Sequence, residues 1–256
     1  MHHWIKRVIV IVAPLLLTGC LWGPGKFNSD LTLKKDGSFA LDYRGEIVLQ
    51  VPEDESTQPW TNAKAKCIEG AKARACTATE IADQKASYEK KRQDSEQMAK
   101  MFGLPGLDDD SNRAFAAKLS KFAGWRSVTY RGKGVFDVDY HFEGRATQDF
   151  LFPALPDNNM IIPFVALRRR ADGSVLVTAP AFTGGAGPMS AAAAGAGDMA
   201  KGGPVSHAQG RFTIITDGDV LTNNSEDGPA PHPTGRQIHW DVVSTSTKIP
   251  EALIRL

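Results

Sequence analysis

The sequence lacks an excess of charge of either sign. It has 30 lysines and arginines against 29 aspartates and glutamates, a formal net charge of +1 over 256 residues. Such a chain has no overall field that would attract nucleic acid, so a nucleic-acid-binding protein is excluded. The hydrophobic fraction of 42% suffices for a core, which excludes wholesale disorder and a fibrous repeat.

The sequence also lacks the common short catalytic motifs. It contains no Gly-x-Ser-x-Gly nucleophile elbow, no His-Glu-x-x-His pair and no glycine-rich phosphate loop. We therefore predict a non-enzymatic protein without a cofactor, although catalytic residues scattered along the chain would escape such a search. Cysteine is scarce as well, and its count of 3 is odd. In an exported protein an odd count leaves one thiol over from pairing, and that thiol needs an explanation.

The N-terminus has the composition of a secretory signal. Lys6 and Arg7 precede an apolar run from Val8 to Leu17, and small residues follow that run. The run is too short to span a bilayer. We predict that residues 1–19 form a signal peptide that is removed.

The residues Leu17-Thr18-Gly19-Cys20 resemble the lipobox of bacterial lipoproteins. The resemblance implies cleavage between Gly19 and Cys20, a diacylglycerol on the Cys20 thiol and palmitate-type acylation of the new amine. Two or more acyl chains anchor a protein stably, whereas one holds it only marginally. Leu21 stands where lipoproteins kept at the inner membrane usually have Asp, which implies the periplasmic face of the outer membrane. The alternative is an ordinary signal peptide with an incidental cysteine.

The other two cysteines are spaced for a local disulfide. Cys67 and Cys76 lie nine positions apart, and Gly70 between them allows a turn. In an oxidising periplasm they can close a short loop. The alternatives are half of a zinc site and a redox pair, but a second cysteine pair and the Cys-x-x-Cys spacing are both missing.

Hydrophobic periodicity predicts an α+β fold: an antiparallel sheet with a central two-helix block packed on one face. Apolar residues alternate from Phe27 to Leu49 around an Asp36-Gly37 turn, as in a β-hairpin. The stretch from Thr79 to Met101 has no Gly or Pro, and Thr79 is suited to cap a helix. The spacing of Phe115, Leu119 and Phe122 predicts a second helix, and further strands follow from residue 125 onward.

These elements form one predicted domain over residues 27–256, preceded by a lipidated tether at 20–26. Residues 184–203 contain seven Gly and seven Ala. Such a segment cannot bury enough surface to offset its ordering entropy, so we expect a disordered insertion at about 184–209.

Two later strands carry histidines that are candidate metal ligands or acid and base groups. His141 lies on a strand with Asp139, and His239 lies on a later strand with Asp241. If the two strands were neighbours, these side chains would share one face, as a divalent metal site or a hydrolase requires. The alternative is the solvated face of an antiparallel sheet.

A proline-interrupted apolar stretch is a candidate ligand site. It contains Phe152 and Phe164 and is followed by Arg168, Arg169 and Arg170. Apolar side chains beside three arginines are suited to an anionic lipid or glycolipid. The alternative is a core-packed loop that ends in a basic strand.

Several of these features resemble the LppM-type lipoprotein domain of bacteria. They are the acylated Cys20, the opening hairpin, the helical middle that leads into Ala123-Gly124-Trp125, and the closing Gln237-Ile238-His239-Trp240. The resemblance implies a membrane-anchored α+β module that binds lipid. The sequence thus predicts an envelope-associated lipoprotein with a non-enzymatic binding role. A periplasmic hydrolase that uses the His141 and His239 face is the alternative.

Overall fold

The chain folds mainly into β-strands. A computed structural model describes residues 22–49, 60–69, 72–101, 109–154, 163–183 and 207–256. Within these ranges it has fourteen strands and two α-helices. The expected antiparallel sheet is confirmed, and the expected α+β class is corrected to a mostly β protein.

The opening hairpin is confirmed and is longer than predicted. Strand β1 is Trp22–Leu33 and β2 is Ser38–Leu49, and each alternates buried and more exposed side chains along most of its length. Gly37 in the turn has a φ of +82°, a conformation that glycine adopts readily. Because β1 already begins at Trp22, residues 22–26 are not the expected tether.

Seven strands form the larger sheet, in the order β12-β13-β10-β1-β2-β6-β5. All neighbouring pairs are antiparallel except β1 and β10, which are parallel. The additional strands are β5 Trp125–Gly132, β6 Val135–Arg145, β10 Gln209–Thr216, β12 Ala230–His232 and β13 Gly235–Val242.

Five strands form a second, antiparallel sheet in the order β11-β14-β9-β8-β7. They are β7 Phe150–Phe152, β8 Val165–Arg169, β9 Val175–Thr178, β11 Asp219–Asn223 and β14 Glu251–Arg255.

Aromatic side chains from both sheets meet in the core between them. Tyr43 of β2 is fully buried, and its ring lies 5.2 Å from the ring of Phe152 on β7 and 5.8 Å from that of Phe164. Phe27 of β1 stacks on Phe182 at 4.1 Å. Rings at such separations fill the space between the sheets and add favourable edge and stacking contacts.

The two helices differ in how they relate to this core. Helix α1 is Ala78–Met101 and helix α2 is Asp109–Leu119. Phe115 and Leu119 of α2 are buried, and the Phe115 ring stacks on that of Trp22 at 5.4 Å. No described side chain of α1 is buried. Of the helix side chains that the structure describes, only those of α2 enter the core, so the expected two-helix block on one sheet face is not confirmed for α1.

Helix α1 lies against a small disulfide hairpin. Strands β3 Cys67–Glu69 and β4 Lys72–Arg74 pair with each other, preceded by a 3-10 turn at Asn62–Lys64. The predicted disulfide between Cys67 and Cys76 is confirmed, with a Cα–Cα distance of 5.3 Å. Thr77 caps α1, not Thr79: its Oγ accepts the Glu80 N–H, while the Glu80 carboxylate accepts the Thr77 N–H. This is a capping box.

Several predictions lie outside the described residues. They include Gly19 and Cys20 at the lipobox and residues 184–206 of the expected insertion. The last residues assigned to that insertion are ordered, since Ala208 is buried in the core and Gln209 begins β10. Among the described helices, none has the length and apolar character that crossing a membrane requires.

Candidate functional site

The two candidate histidines lie on the same face and in the same row of the larger sheet, but far apart. His239 pairs with Thr213, Thr213 with Asp30, Asp30 with Asp42 and Asp42 with His141. Three strands therefore separate β6 from β13. At about 4.8 Å per strand the two backbones are about 19 Å apart. The strands are not neighbours, so the condition for a site shared by both histidines is not met.

Each histidine is instead held by its own carboxylates. His141 Nδ1 lies 2.9 Å from Asp42 Oδ1, and His141 Nε2 lies 3.1 Å from Glu143 Oε1. His239 Nε2 lies 3.3 Å from Asp227 Oδ2. Both ring nitrogens of His141 are occupied, so the imidazole is oriented and has no free nitrogen for a substrate proton.

The candidate aspartates on these strands pair with arginines across the sheet. Asp139 Oδ2 lies 3.7 Å from Arg44 Nε. Asp241 accepts two bonds from Arg211, at 2.6 and 2.9 Å. Hydrogen bonds from Arg211 lower the pKa of the Asp241 carboxyl. This arrangement matches the solvated sheet face more closely than a metal site.

The apolar part of the predicted ligand site belongs to the core. Phe152 and Phe164 have no exposed surface and pack against other aromatic rings. They do not line a cleft. The basic part differs: Arg168 and Arg169 end β8, and Arg170 opens the following turn, all three exposed.

Arg169 lines a polar cleft that is built from two turns with the same sequence. Asp36-Gly37-Ser38 links β1 to β2, and Asp172-Gly173-Ser174 links β8 to β9, so each sheet supplies one turn. In both turns the aspartate Oδ1 accepts bonds from the serine N–H and hydroxyl. These bonds lower the pKa of both aspartates.

We call this site the turn cleft. It has two adjoining lobes of about 220 and about 380 Å³ that share Asp36, Gly37 and Arg169. The first lobe is also lined by Lys35, Asp172, Gly173, Arg255 and Leu256, and the second by Arg145, Ala146 and Thr147.

Main-chain carbonyls position two arginines of the turn cleft. Arg145 donates to the carbonyl of Asp36, and Arg169 donates to that of Ala146 at 2.9 Å. The side chain of Arg255, at the end of β14, makes no hydrogen bond or ion pair with the part of the chain that the structure describes. The guanidinium groups thus reach the cleft from three different strands.

The turn cleft and the start of β1 lie at opposite ends of the molecule. Trp22 begins β1, and the strand runs twelve residues to Leu33, next to the Asp36-Gly37 turn. Twelve residues of extended chain cover about 36 to 40 Å. The cleft is therefore separated from residue 22 by the full length of the sheet.

Sequence reasoning singled out Arg169 but missed Arg145, Arg255, Asp36 and Asp172. The available signal was the repeated Asp-Gly-Ser triplet, with a basic residue within three positions before each turn. No local pattern marks Arg145 or Arg255, because each joins the cleft through sheet topology.

Comparisons with known proteins add no family to this description. No protein-family model matches the chain, and a search of curated proteins finds no match either.

Proposed function

We propose that this protein is a lipid-anchored lipoprotein of the bacterial envelope, held at the periplasmic face of the outer membrane by Cys20. The observation that carries the proposal is the lipobox-like Leu17-Thr18-Gly19-Cys20, which in sequence stands one residue before the first described strand, β1, at Trp22. An anchor at Cys20 would hold the domain close to the membrane surface, because Leu21 is the one residue between Cys20 and Trp22.

The disulfide supports the same location. Cys67 and Cys76 are joined, and disulfides persist in the periplasm but are rare in the reducing cytosol. With these two cysteines paired, Cys20 is the one thiol left, and acylation accounts for it.

Within this role the protein acts as a non-enzymatic binding module. The turn cleft is the binding site, because charged side chains from both sheets converge there without forming a closed set of ion pairs. A ligand with a polar, anionic group, such as the headgroup of a lipid or glycolipid, suits such a cleft better than an acyl chain does. The aromatic residues that would have received an acyl chain are packed in the core.

Metabolic labelling with palmitate tests the anchor. The full chain should incorporate label and fractionate with the outer membrane, whereas Cys20→Ala should remain an unlabelled, unprocessed precursor. The matched control is the double variant Cys67→Ser/Cys76→Ser, which removes the disulfide and should still be labelled. Label that persists in Cys20→Ala would overturn the anchor.

A further inference from the structure

We infer that the turn cleft binds a phosphate group, held by Arg145, Arg169 and Arg255. The inference rests on the proposed binding role of the cleft and names the chemical class of its ligand. Arginine is the side chain best suited to phosphate, since its planar guanidinium presents paired N–H donors to two oxygens at once.

The first argument is that these arginines are not paired with a carboxylate in the described ranges of the chain. None of the three lies within 4.0 Å of a carboxylate in the described ranges of the chain, although two aspartates line the same cleft. Several arginines outside the cleft are paired: Arg74 with Glu80, Arg131 with Asp137 and Arg211 with Asp241, each at 2.6 Å. The three guanidinium groups of the cleft thus remain available to an anionic ligand, whereas those of the paired arginines do not.

The second argument is how the aspartates of the cleft are occupied. Asp36 and Asp172 each direct Oδ1 to a serine of their own turn, at 2.6 Å from the hydroxyl. Those bonds hold the two carboxylates against their own turns, and in the described ranges of the chain neither lies within 4.0 Å of a guanidinium group of the cleft. Lys35 is the fourth cation of the cleft, and it lies 3.6 Å from Asp219. With Lys35 paired to Asp219, three arginines and two aspartates remain in the cleft, and in the described ranges none of these arginines lies within 4.0 Å of a carboxylate.

The third argument is geometric. Arg145 of β6 lines the second lobe, Arg255 of β14 lines the first, and Arg169 of β8 lines both, so three strands supply donors to the two adjoining lobes. A tetrahedral phosphate can accept from several directions, whereas a planar carboxylate accepts within one plane. Main-chain carbonyls already fix Arg145 and Arg169, which reduces the entropy lost when they hold a ligand. The larger lobe leaves room for the molecule that carries the phosphate.

Calorimetric titration of the full chain in a neutral detergent tests the inference. The probes are inorganic phosphate, dihexanoyl phosphatidylglycerol below its micellar concentration, and acetate. We expect phosphate binding that weakens as salt is added, because the site is open to solvent. Binding of both phosphate compounds indicates a lipid headgroup as the source, and binding of inorganic phosphate alone indicates a free phosphate or a monoester. Absence of binding by both, or equal binding of acetate, would overturn the inference.

Matched variants locate the binding. Arg255→Gln should weaken phosphate binding by about tenfold, the usual cost of one charge-assisted hydrogen bond. Arg44→Gln carries the same charge change on the outer sheet face and should alter binding by less than about twofold. Circular dichroism establishes that each variant is folded. Unchanged binding in the double variant Arg145→Gln/Arg255→Gln would contradict the assignment. The titration needs no acylation, so its failure is distinct from a failure of palmitate labelling.

Discussion

At the scale of the residue, Tyr43 links the aromatic core to the backbone beside a β-bulge. Its ring is fully buried, and its hydroxyl donates to the carbonyl of Glu46 at 2.7 Å, close to the β-bulge between β1 and β2. Burial raises the pKa of the Tyr43 phenol well above its ordinary value, so the group remains a neutral donor at physiological pH. Removing the hydroxyl would leave that carbonyl without this donor.

We therefore predict that Tyr43→Phe lowers the free energy of unfolding by about 1 to 2 kcal/mol, measured by urea denaturation. Tyr140→Phe is the matched control. Its ring is also buried, and burial raises its pKa to about 12, but its hydroxyl has no hydrogen-bond partner in the described residues. We expect less than about 0.5 kcal/mol for Tyr140→Phe. Equal losses in the two variants would show that the Tyr43 hydrogen bond contributes little.

At the scale of the element, the described side chains of α1 contact the disulfide hairpin and its approach and not the core. None of its described side chains is buried, whereas Glu80, Gln84 and Tyr88 contact residues of the hairpin and the segment before it. A disulfide that closes a loop this short stabilises by about 2 to 3 kcal/mol on the loop-entropy model. An isolated helix with few packing contacts is only marginally stable in water.

We predict that the double variant Cys67→Ser/Cys76→Ser loses much of the helical circular dichroism of α1 while the sheets remain folded. Tryptophan fluorescence checks the sheets, because Trp125 and Trp240 lie in the core. Trp60→Phe is introduced into both the variant and the wild type, since Trp60 contacts Tyr88 of α1. The denaturant midpoint seen by fluorescence should match that of the wild type. If helix and sheets were lost together, α1 would be part of the main cooperative unit.

The Glu80 carboxylate makes the stability of helix α1 depend on pH. Hydrogen bonds from Arg74, and then from Thr77, lower its pKa from 4.5 to about 2. Because the folded pKa is below the unfolded one, the stabilisation is complete above pH 4.5 and is lost as the pH falls towards 2. We predict a loss of helical circular dichroism over this window.

Glu80→Gln should reduce the helical signal already at about pH 6 and should flatten its change on acidification. Glu89→Gln removes the same charge from an exposed i,i+4 pair with Lys85 at 3.8 Å and should leave the profile close to that of the wild type. An acid profile that is identical in Glu80→Gln and the wild type would assign the transition to another group.

Local pattern predicted the elements that have a local cause. Alternation around Asp36-Gly37 predicted the first hairpin, and the stretch free of Gly and Pro predicted α1 to within one residue at its start. The start of β1 was missed because Gly23, Pro24 and Gly25 disfavour a strand. Gly23 and Pro24 nevertheless pair with β2, and Gly25 lies in the bulge that follows, where a Cβ would be 2.5 Å from the Glu46 carboxylate. Strand β14 was missed because two inward side chains in five residues are too few to show a period.

At the scale of the whole molecule, the site depends on topology that no local pattern contains. The order of strands places β6 and β13 three strands apart, which separates the two histidines, and brings the ends of β6, β8 and β14 together at the turn cleft. The cleft arginines are distant in sequence, and their convergence follows from pairings between strands far apart along the chain. The sequence shows that residues 168–170 are basic, but it could not predict which residues lie next to them in the fold.

The same topology sets how an anchored molecule would face the membrane. The β5–β6 turn lies at the Trp22 end, since the Leu49 N–H bonds to the carbonyl of Gly134 and Leu49 pairs with Trp22. Lys133 in that turn should therefore be close to the bilayer, whereas Asp172 in the turn cleft should be about 36 Å further away.

We predict that a fluorophore on Lys133→Cys is quenched by nitroxide-labelled lipid headgroups and that one on Asp172→Cys is not. The comparison uses the acylated full chain in vesicles, with the Cys67–Cys76 disulfide kept oxidised during labelling. Equal quenching at the two positions would mean that the sheets lie flat on the membrane. The cleft would then face headgroups of the anchoring bilayer and not the space beyond it.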